Sequence, residues 1–285
     1  RRMPFGRAAV RLGCFVCLVA GLAFAPDAGA WEAVTGPLDL PVVAVDKAKQ
    51  RLFLLEGGTV RPFVCTTGQR EGDKQVRGDL KTPEGVYFVL RKRTDRLDFE
   101  DYGGEAYILD YPNPVDRLRG KTGSGIWVHS RGHAVTPRES RGCVVLNLKD
   151  IAVVGPKLKP GTPVVIGETA KTVARPVESE AVRQVERRTR DWCEAWERQA
   201  PLDALYAPES GFTRRSLEAA RNAQRRFAKR GGKPRFGTVR TLEGPGYWVS
   251  WFTQRAPDGT WSGIRRLYWQ RIGDGFLIVG EEGGA

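Results

Sequence analysis

The chain has 285 residues, with 46 Lys and Arg against 33 Asp and Glu and a formal net charge of +13. Its length admits two domains, and its 41% apolar content supports packed cores rather than a disordered chain. A protein this basic is drawn to polyanions, whether nucleic acid, anionic lipid or an acidic wall polymer, and the N-terminus chooses among them.

Arg1, Arg2, Arg7 and Arg11 form a positive leader, Leu12 to Ala25 an apolar run, and Ala28-Gly29-Ala30 a small-x-small cleavage site. Residues 1–30 therefore read as a secretory signal peptide. The run is too short to span a bilayer comfortably. The chain is expected to be exported to the periplasm or cell envelope, where nucleic acid is the wrong partner. Removing the leader takes away four Arg and one Asp and leaves +10. It also removes Cys14 and Cys17, so that Cys65, Cys143 and Cys193 remain. An odd number of thiols in an oxidising compartment asks which one stays free. Cys143 is the expected free thiol, with a Cys65–Cys193 bridge or two buried hydrophobes left open for the others.

Leu40 to Leu55 reads as two short strands about a turn at Asp46-Lys47, because Val43, Val45, Leu52 and Leu54 recur with period two. Val60 to Thr67 is a third strand. A polar, Gly-rich loop follows, closing in the tight turn Thr82-Pro83-Glu84-Gly85. Val86 to Leu90 is the next strand, in which Tyr87 is either core or a cleft-lining substrate contact. Residues 91–125 are polar and interrupted by Pro and Gly, and are expected to form a lid or substrate-binding insertion.

The stretch Ile126 to Asn147, IWVHSRGHAVTPRESRGCVVLN, concentrates the chemistry. It holds both histidines of the protein, His129 and His133, and Cys143, fourteen residues after the first of them. A thiol is only a few per cent thiolate at neutral pH, and a neighbouring imidazole can accept its proton and later return it to a leaving group. The same residues also fit a buried strand cysteine with two surface histidines. A papain-like arrangement is excluded by order, since the histidine precedes the cysteine here.

IWVHS followed by SRGCVVLN resembles the signature of the L,D-transpeptidase catalytic domain, the YkuD family, in which a His stands upstream of Ser-x-Gly-Cys. VDKAKQRLFLLEGG and TTGQ…GDLKTPEGVYFV are family-like too, so the resemblance covers most of residues 40–166. Two positions depart from the pattern: Arg141 where His is common and Val145 where Arg or Asn is common. Both bear on substrate preference. AYILDYPNPVD…GKTGSGIWVHS is similar to the branch containing the L,D-carboxypeptidases that trim stem peptides in helical and curved bacteria.

The resemblance implies a mainly β catalytic domain, an L,D-transpeptidase β-sandwich, acting on peptidoglycan stem peptides. Cys143 would be the nucleophile and His129 the base, oriented by the backbone carbonyl of Ser130. The N–H groups of Gly142 and Cys143 would face the oxyanion. Arg141 would hold a substrate carboxylate, with His133 a loop or substrate contact. The chemistry asks for no metal and no cofactor, and two histidines without ligand-spaced cysteines do not make a zinc site. Water as acyl acceptor gives an L,D-carboxypeptidase, and an amine gives a transpeptidase that forms 3–3 cross-links or attaches a protein. A wall-binding module without catalysis is the third reading.

After a linker at 168–178, Val182, Val185, Thr189, Trp192 and Trp196 recur at helical spacing, which predicts a helix over about 178–199. Leu202 to Tyr206 is a short helix and Thr213 to Lys229 a second long one. That helix is rich in Arg, a face able to contact an anionic wall or membrane surface, or simply to be solvated. Strands are predicted at 235–242, 247–255, 263–272 and 275–280. Helices followed by antiparallel strands suggest an α+β unit with a curved antiparallel sheet, and this one resembles the cone-like SnoaL (nuclear-transport-factor) type. The expected organisation is a catalytic domain over 31–167 and an accessory domain over 179–285. The oligomeric state is not legible.

Overall fold

A computed structural model of the chain describes residues 39–170, 179–207, 211–229 and 231–283. The signal peptide at 1–30 and most of the linker at 168–178 lie outside the described residues. The first half holds eight strands: β1 (Val42–Asp46), β2 (Arg51–Glu56), β3 (Thr59–Thr66), β4 (Gly85–Arg93), β5 (Ala106–Leu109), β6 (Trp127–Ser130), β7 (Val144–Leu146) and β8 (Pro163–Gly167). They close into a barrel in the order β1-β2-β3-β7-β6-β5-β4-β8. The expected sandwich is thus a closed barrel. Closure comes from β8, which pairs parallel with β1 on one side and antiparallel with β4 on the other, leaving no open edge.

Alternation fills the interior with Val43, Val45, Leu52, Leu54, Val89, Val128, Val144, Leu146, Val164 and Ile166. Tyr87 belongs to this set. It is fully buried inside the barrel, with its hydroxyl 3.2 Å from the Glu84 carbonyl and 3.3 Å from Asp116. Sharing the inward face of β4 with Val89, it cannot line a substrate cleft. β1 and β8 are buried on both faces, which is why they read as unbroken apolar runs.

Residues 91–125, expected as a lid or substrate-binding insertion, contain regular elements. They carry the end of β4, a short helix α1 (Phe99–Tyr102), strand β5 and a second short helix α2 (Pro114–Leu118). β5 sits in the barrel wall between β4 and β6. Four residues between Gly103-Gly104 and Pro112 are too few to show a period in the sequence. A third helix, α3 (Leu148–Val154), follows β7.

The second half has two long helices, α4 (Glu180–Arg198) and α5 (Gly211–Lys229). A sheet follows: β9 (Arg235–Phe236), β10 (Arg240–Gly244), β11 (Tyr247–Arg255), β12 (Ser262–Ile272) and β13 (Gly275–Glu282). The single strand expected at 235–242 is split into β9 and β10, with the Gly237 N–H still bonded to the Thr253 carbonyl of β11 at 2.8 Å. Ser179 caps α4 by accepting from the Val182 N–H at 3.1 Å. The buried stripe of α4, with Trp192 and Trp196, packs with Ala220, Ala223 and Phe227 of α5 onto one face of this sheet. Arg265 crosses the cluster with its guanidinium 5.2 Å from both indole rings. Trp269 and Trp192 bond Ser250 and Tyr206 respectively. These rings are core. Cys193 lies in this cluster and Cys65 inside the barrel, both as free thiols.

The other face of the sheet covers the barrel. Val42, Ala44, Val86, Phe88 and Val165, the outward residues of β1, β4 and β8, pack against Leu242, Val249 and Trp251. The Tyr247 hydroxyl enters the barrel wall, accepting from the Val86 N–H at 2.7 Å and from the Asn113 amide at 2.8 Å. Among the described residues no helix is long and apolar enough to cross a membrane.

Candidate active site

β6 and β7 run parallel, with Val128 opposite Val144 and His129 opposite Val145. Val128 and Val144 point into the barrel. Alternation therefore turns Trp127, His129 and Cys143 outward. Carried back one step, the register sets Cys143 beside Trp127. The thiol and the imidazole thus share one outer face of neighbouring strands, two positions apart. Sγ lies 3.5 Å from the Gly125 carbonyl, to which the thiol donates.

The imidazole is held from two sides. Nδ1 is 2.8 Å from the Ser130 carbonyl, which as acceptor keeps the proton on Nδ1 and leaves the Nε2 lone pair open. The Tyr102 ring packs 5.0 Å from the His129 ring and 5.4 Å from Trp127. Tyr102 is delivered by α1, which Asp98 caps and Gly103 ends in the left-handed region at φ 58°. Gly103 has a second reason to be glycine, since a Cβ there would lie 2.0 Å from Ser130 Oγ.

Burial sets the protonation states. His129, 4% exposed, has its pKa lowered to about 4, mainly by desolvation, with the Ser130 hydrogen bond opposing and the Arg131 charge adding to the drop. Cys143 is half-buried, and burial pushes its thiol up to about 11 against the Trp127 backbone and the charges of Arg131 and Lys74. At neutral pH the resting pair is a neutral thiol beside a neutral imidazole, suited to proton transfer during attack rather than to a standing thiolate.

The loop before the nucleophile is tied to the β3–β4 connection. Thr82 Oγ1 accepts from the Gly68 N–H at 2.8 Å and donates to the Gly142 carbonyl at 2.9 Å. Gly142 sits at φ 129°, where a Cβ would lie 2.8 Å from the Lys81 carbonyl. Gln50 accepts the Thr67 and Arg138 N–H groups at 3.0 and 3.1 Å. Ser140 Oγ accepts the Gly142 N–H at 3.1 Å and donates to the Cys143 carbonyl at 2.6 Å. The Gly142 amide expected to face the oxyanion is therefore already engaged, and an oxyanion would have to displace that hydroxyl.

The remaining expected residues divide. Ser130 presents its carbonyl to His129 as described. Arg141 is exposed and makes no side-chain hydrogen bond or ion pair among the described residues. His133 is exposed and turned to the Ala134 carbonyl of its own loop at 3.1 Å. Arg131 and Tyr102 carry no sequence signal of their own, because their roles depend on side-chain contacts across loops. Ser140 lies inside the recognised Ser-x-Gly-Cys. Among the described residues no group of three or more His, Cys, Asp and Glu could hold a metal ion.

A closed β-barrel with a half-buried cysteine beside an outward histidine on parallel strands defines a cysteine-site barrel with an α+β partner. Residues 41–166, less than half of the chain, match the family model YkuD, L,D-transpeptidase catalytic domain. No match was found among curated proteins. The fold is similar to that of Bd1075 of Bdellovibrio bacteriovorus, with a TM-score of 0.67 and 24% identity over 90% of this chain and 98% of that one. It is also similar to the helical cell shape determining protein Pgp2 of Campylobacter jejuni, with a TM-score of 0.63 and 24% identity over 89% of this chain and 96% of that one. Both likenesses run through the barrel and the second domain.

Proposed function

We propose that the protein is an exported L,D-carboxypeptidase that releases D-Ala from peptidoglycan stem peptides. The observation that carries this reading is the shared outer face of Cys143 and His129, with Nδ1 committed to the Ser130 carbonyl. Nε2 takes the thiol proton as sulfur attacks the carbonyl of the third stem residue. The C–N bond to D-Ala then breaks, and the imidazolium returns the proton to the departing amine. Water hydrolyses the thioester, leaving a shortened stem with a new carboxylate. Similarity in fold to a helical cell shape determining protein supports a place in cell shape. We read the second domain, two long helices followed by an antiparallel sheet, as a SnoaL-like accessory unit over 179–285, next to a catalytic domain over 31–167.

Transfer of the acyl group to an amine instead of water is the second reading, favoured by the family's own description. Incubation with purified muropeptides separates the two. Loss of one D-Ala is the expected result, a new dimer means transpeptidation, and neither product with no carbapenem adduct at Cys143 would mean a wall-binding module.

A further inference from the structure

Beside the thiol and imidazole stands a cation that their chemistry does not use. Arg131 follows the end of β6, two residues after His129, and its side chain is only 18% exposed. Nη1 pairs with Glu139 at 3.2 Å. That carboxylate is itself anchored, accepting from the Thr136 N–H at 3.1 Å and its hydroxyl at 2.6 Å. The Glu139 N–H donates to Thr66 Oγ1 at 3.0 Å. The guanidinium is therefore gripped at one end. Its Nε is buried without a partner, and among the described residues neither Nε nor Nη2 makes a hydrogen bond. An unmet charged donor is costly, and the planar Nε–Nη2 edge matches a carboxylate bidentately. The charge of Arg131 also reaches both His129 and Cys143.

The position fits the leaving group. The D-Ala amine must come to the imidazole to collect its proton, and the D-Ala carboxylate lies one carbon beyond that amine. We propose that Arg131 binds the terminal carboxylate of the D-Ala leaving group through its Nε–Nη2 edge, so that the enzyme selects stems ending in a free carboxylate. This rests on the carboxypeptidase reading above. It moves carboxylate recognition from the exposed Arg141 to the half-buried Arg131, whose fork Glu139 orients in advance.

The test uses two synthetic stem tetrapeptides, one ending in D-Ala and one in D-alaninamide. The wild-type protein is expected to prefer the free acid by roughly 10- to 100-fold in kcat/KM, the range of a charge-assisted hydrogen bond. Arg131→Gln should bring that ratio near one, Arg131→Lys should leave an intermediate ratio, and Arg141→Gln should keep it. An unchanged ratio in Arg131→Gln, an equal drop on both peptides, or collapse of the ratio in Arg141→Gln would overturn the assignment. If Arg131→Gln does not fold, Arg131→Lys decides by the same ratio. Failure of the wild type to release D-Ala from either peptide overturns the carboxypeptidase reading, and this inference with it. A wild type that trims without preferring the acid overturns the inference alone.

Discussion

Two outer faces of one barrel carry opposite chemistry. Around β1, β4 and β8 the outward residues are Val42, Ala44, Val86, Phe88 and Val165, and the second sheet covers them with Leu242, Val249 and Trp251. Around β6 and β7 the outward residues are Trp127, His129 and Cys143, and α1 and the loop before Cys143 cover them only in part. The interior between these faces is packed with apolar side chains, with the Tyr87 hydroxyl tied to Asp116. A barrel strand has one face committed to the core, so its function or its docking must be written on the other. The covered face is held by packing and by satisfied hydrogen bonds, such as those of Tyr247. The open face keeps unmet capacity: a thiol, an Nε2 lone pair and an unpaired guanidinium edge.

The sharpest break between the faces is Cys143→Ala. It should abolish D-Ala release and carbapenem labelling while leaving the thermal unfolding midpoint within the range of a surface change, about 0.5 kcal/mol. Residual full activity would remove the nucleophile from the mechanism.

His129→Gln comes next, with turnover lowered about 10²- to 10⁴-fold. The wild-type pH profile checks the same group. Because burial holds His129 near about 4, the base form persists in acid, and the acid limb of kcat/KM should fall well below the ordinary imidazole value of 6.5. The linked stability has the matching sign: it is fully present above pH 6.5 and is lost as pH falls towards about 4, where the folded state must protonate a buried ring. An acid limb at 6.5 would mean an exposed or charge-paired imidazole.

On the covered face the expected losses are in stability. Trp251 is buried with its ring 5.4 Å from Phe88. Trp251→Ala should cost about 3–5 kcal/mol in urea unfolding, with the active-site thiol still reactive in the folded fraction. Tyr247→Phe leaves the Val86 N–H short of its acceptor and the Asn113 amide with one fewer, a loss of about 1–3 kcal/mol. Either variant lowering D-Ala release as strongly as His129→Gln, at temperatures where it is folded, would show that the two faces are coupled.

The smallest effect is at Asp110, at the seam between the two halves. Burial pushes its carboxyl up to about 7, reinforced by Glu282 and opposed by Arg266 and the Phe88 N–H. A raised acid contributes stability below its ordinary value near 4, and that contribution is lost as pH rises through about 7. Asp110→Asn should therefore match wild type at pH 4 and be more stable by about 1–2 kcal/mol at pH 8. Equal unfolding curves at pH 8 would mean that water reaches the seam.

Much of this was legible in the chain. Period-two runs placed β1 and β2, and helical spacing from Val182 to Trp196 placed α4. One short stretch holds both His129 and Cys143, and local alternation turns them to the same outer face of neighbouring strands. Four-residue β5 was not legible, since so short a strand has no period to read.

What the sequence determined by itself was therefore local: strand and helix identities, and the one stretch that carries His129 and Cys143. What only the tertiary structure decided were the closure of the barrel, Tyr87 as core, the Gly142 amide bound to Ser140, and Arg131 as a half-buried cation paired with Glu139. Each depends on atoms far apart in the chain or on burial, and neither desolvation nor a cross-loop hydrogen bond leaves a periodic mark on residue order.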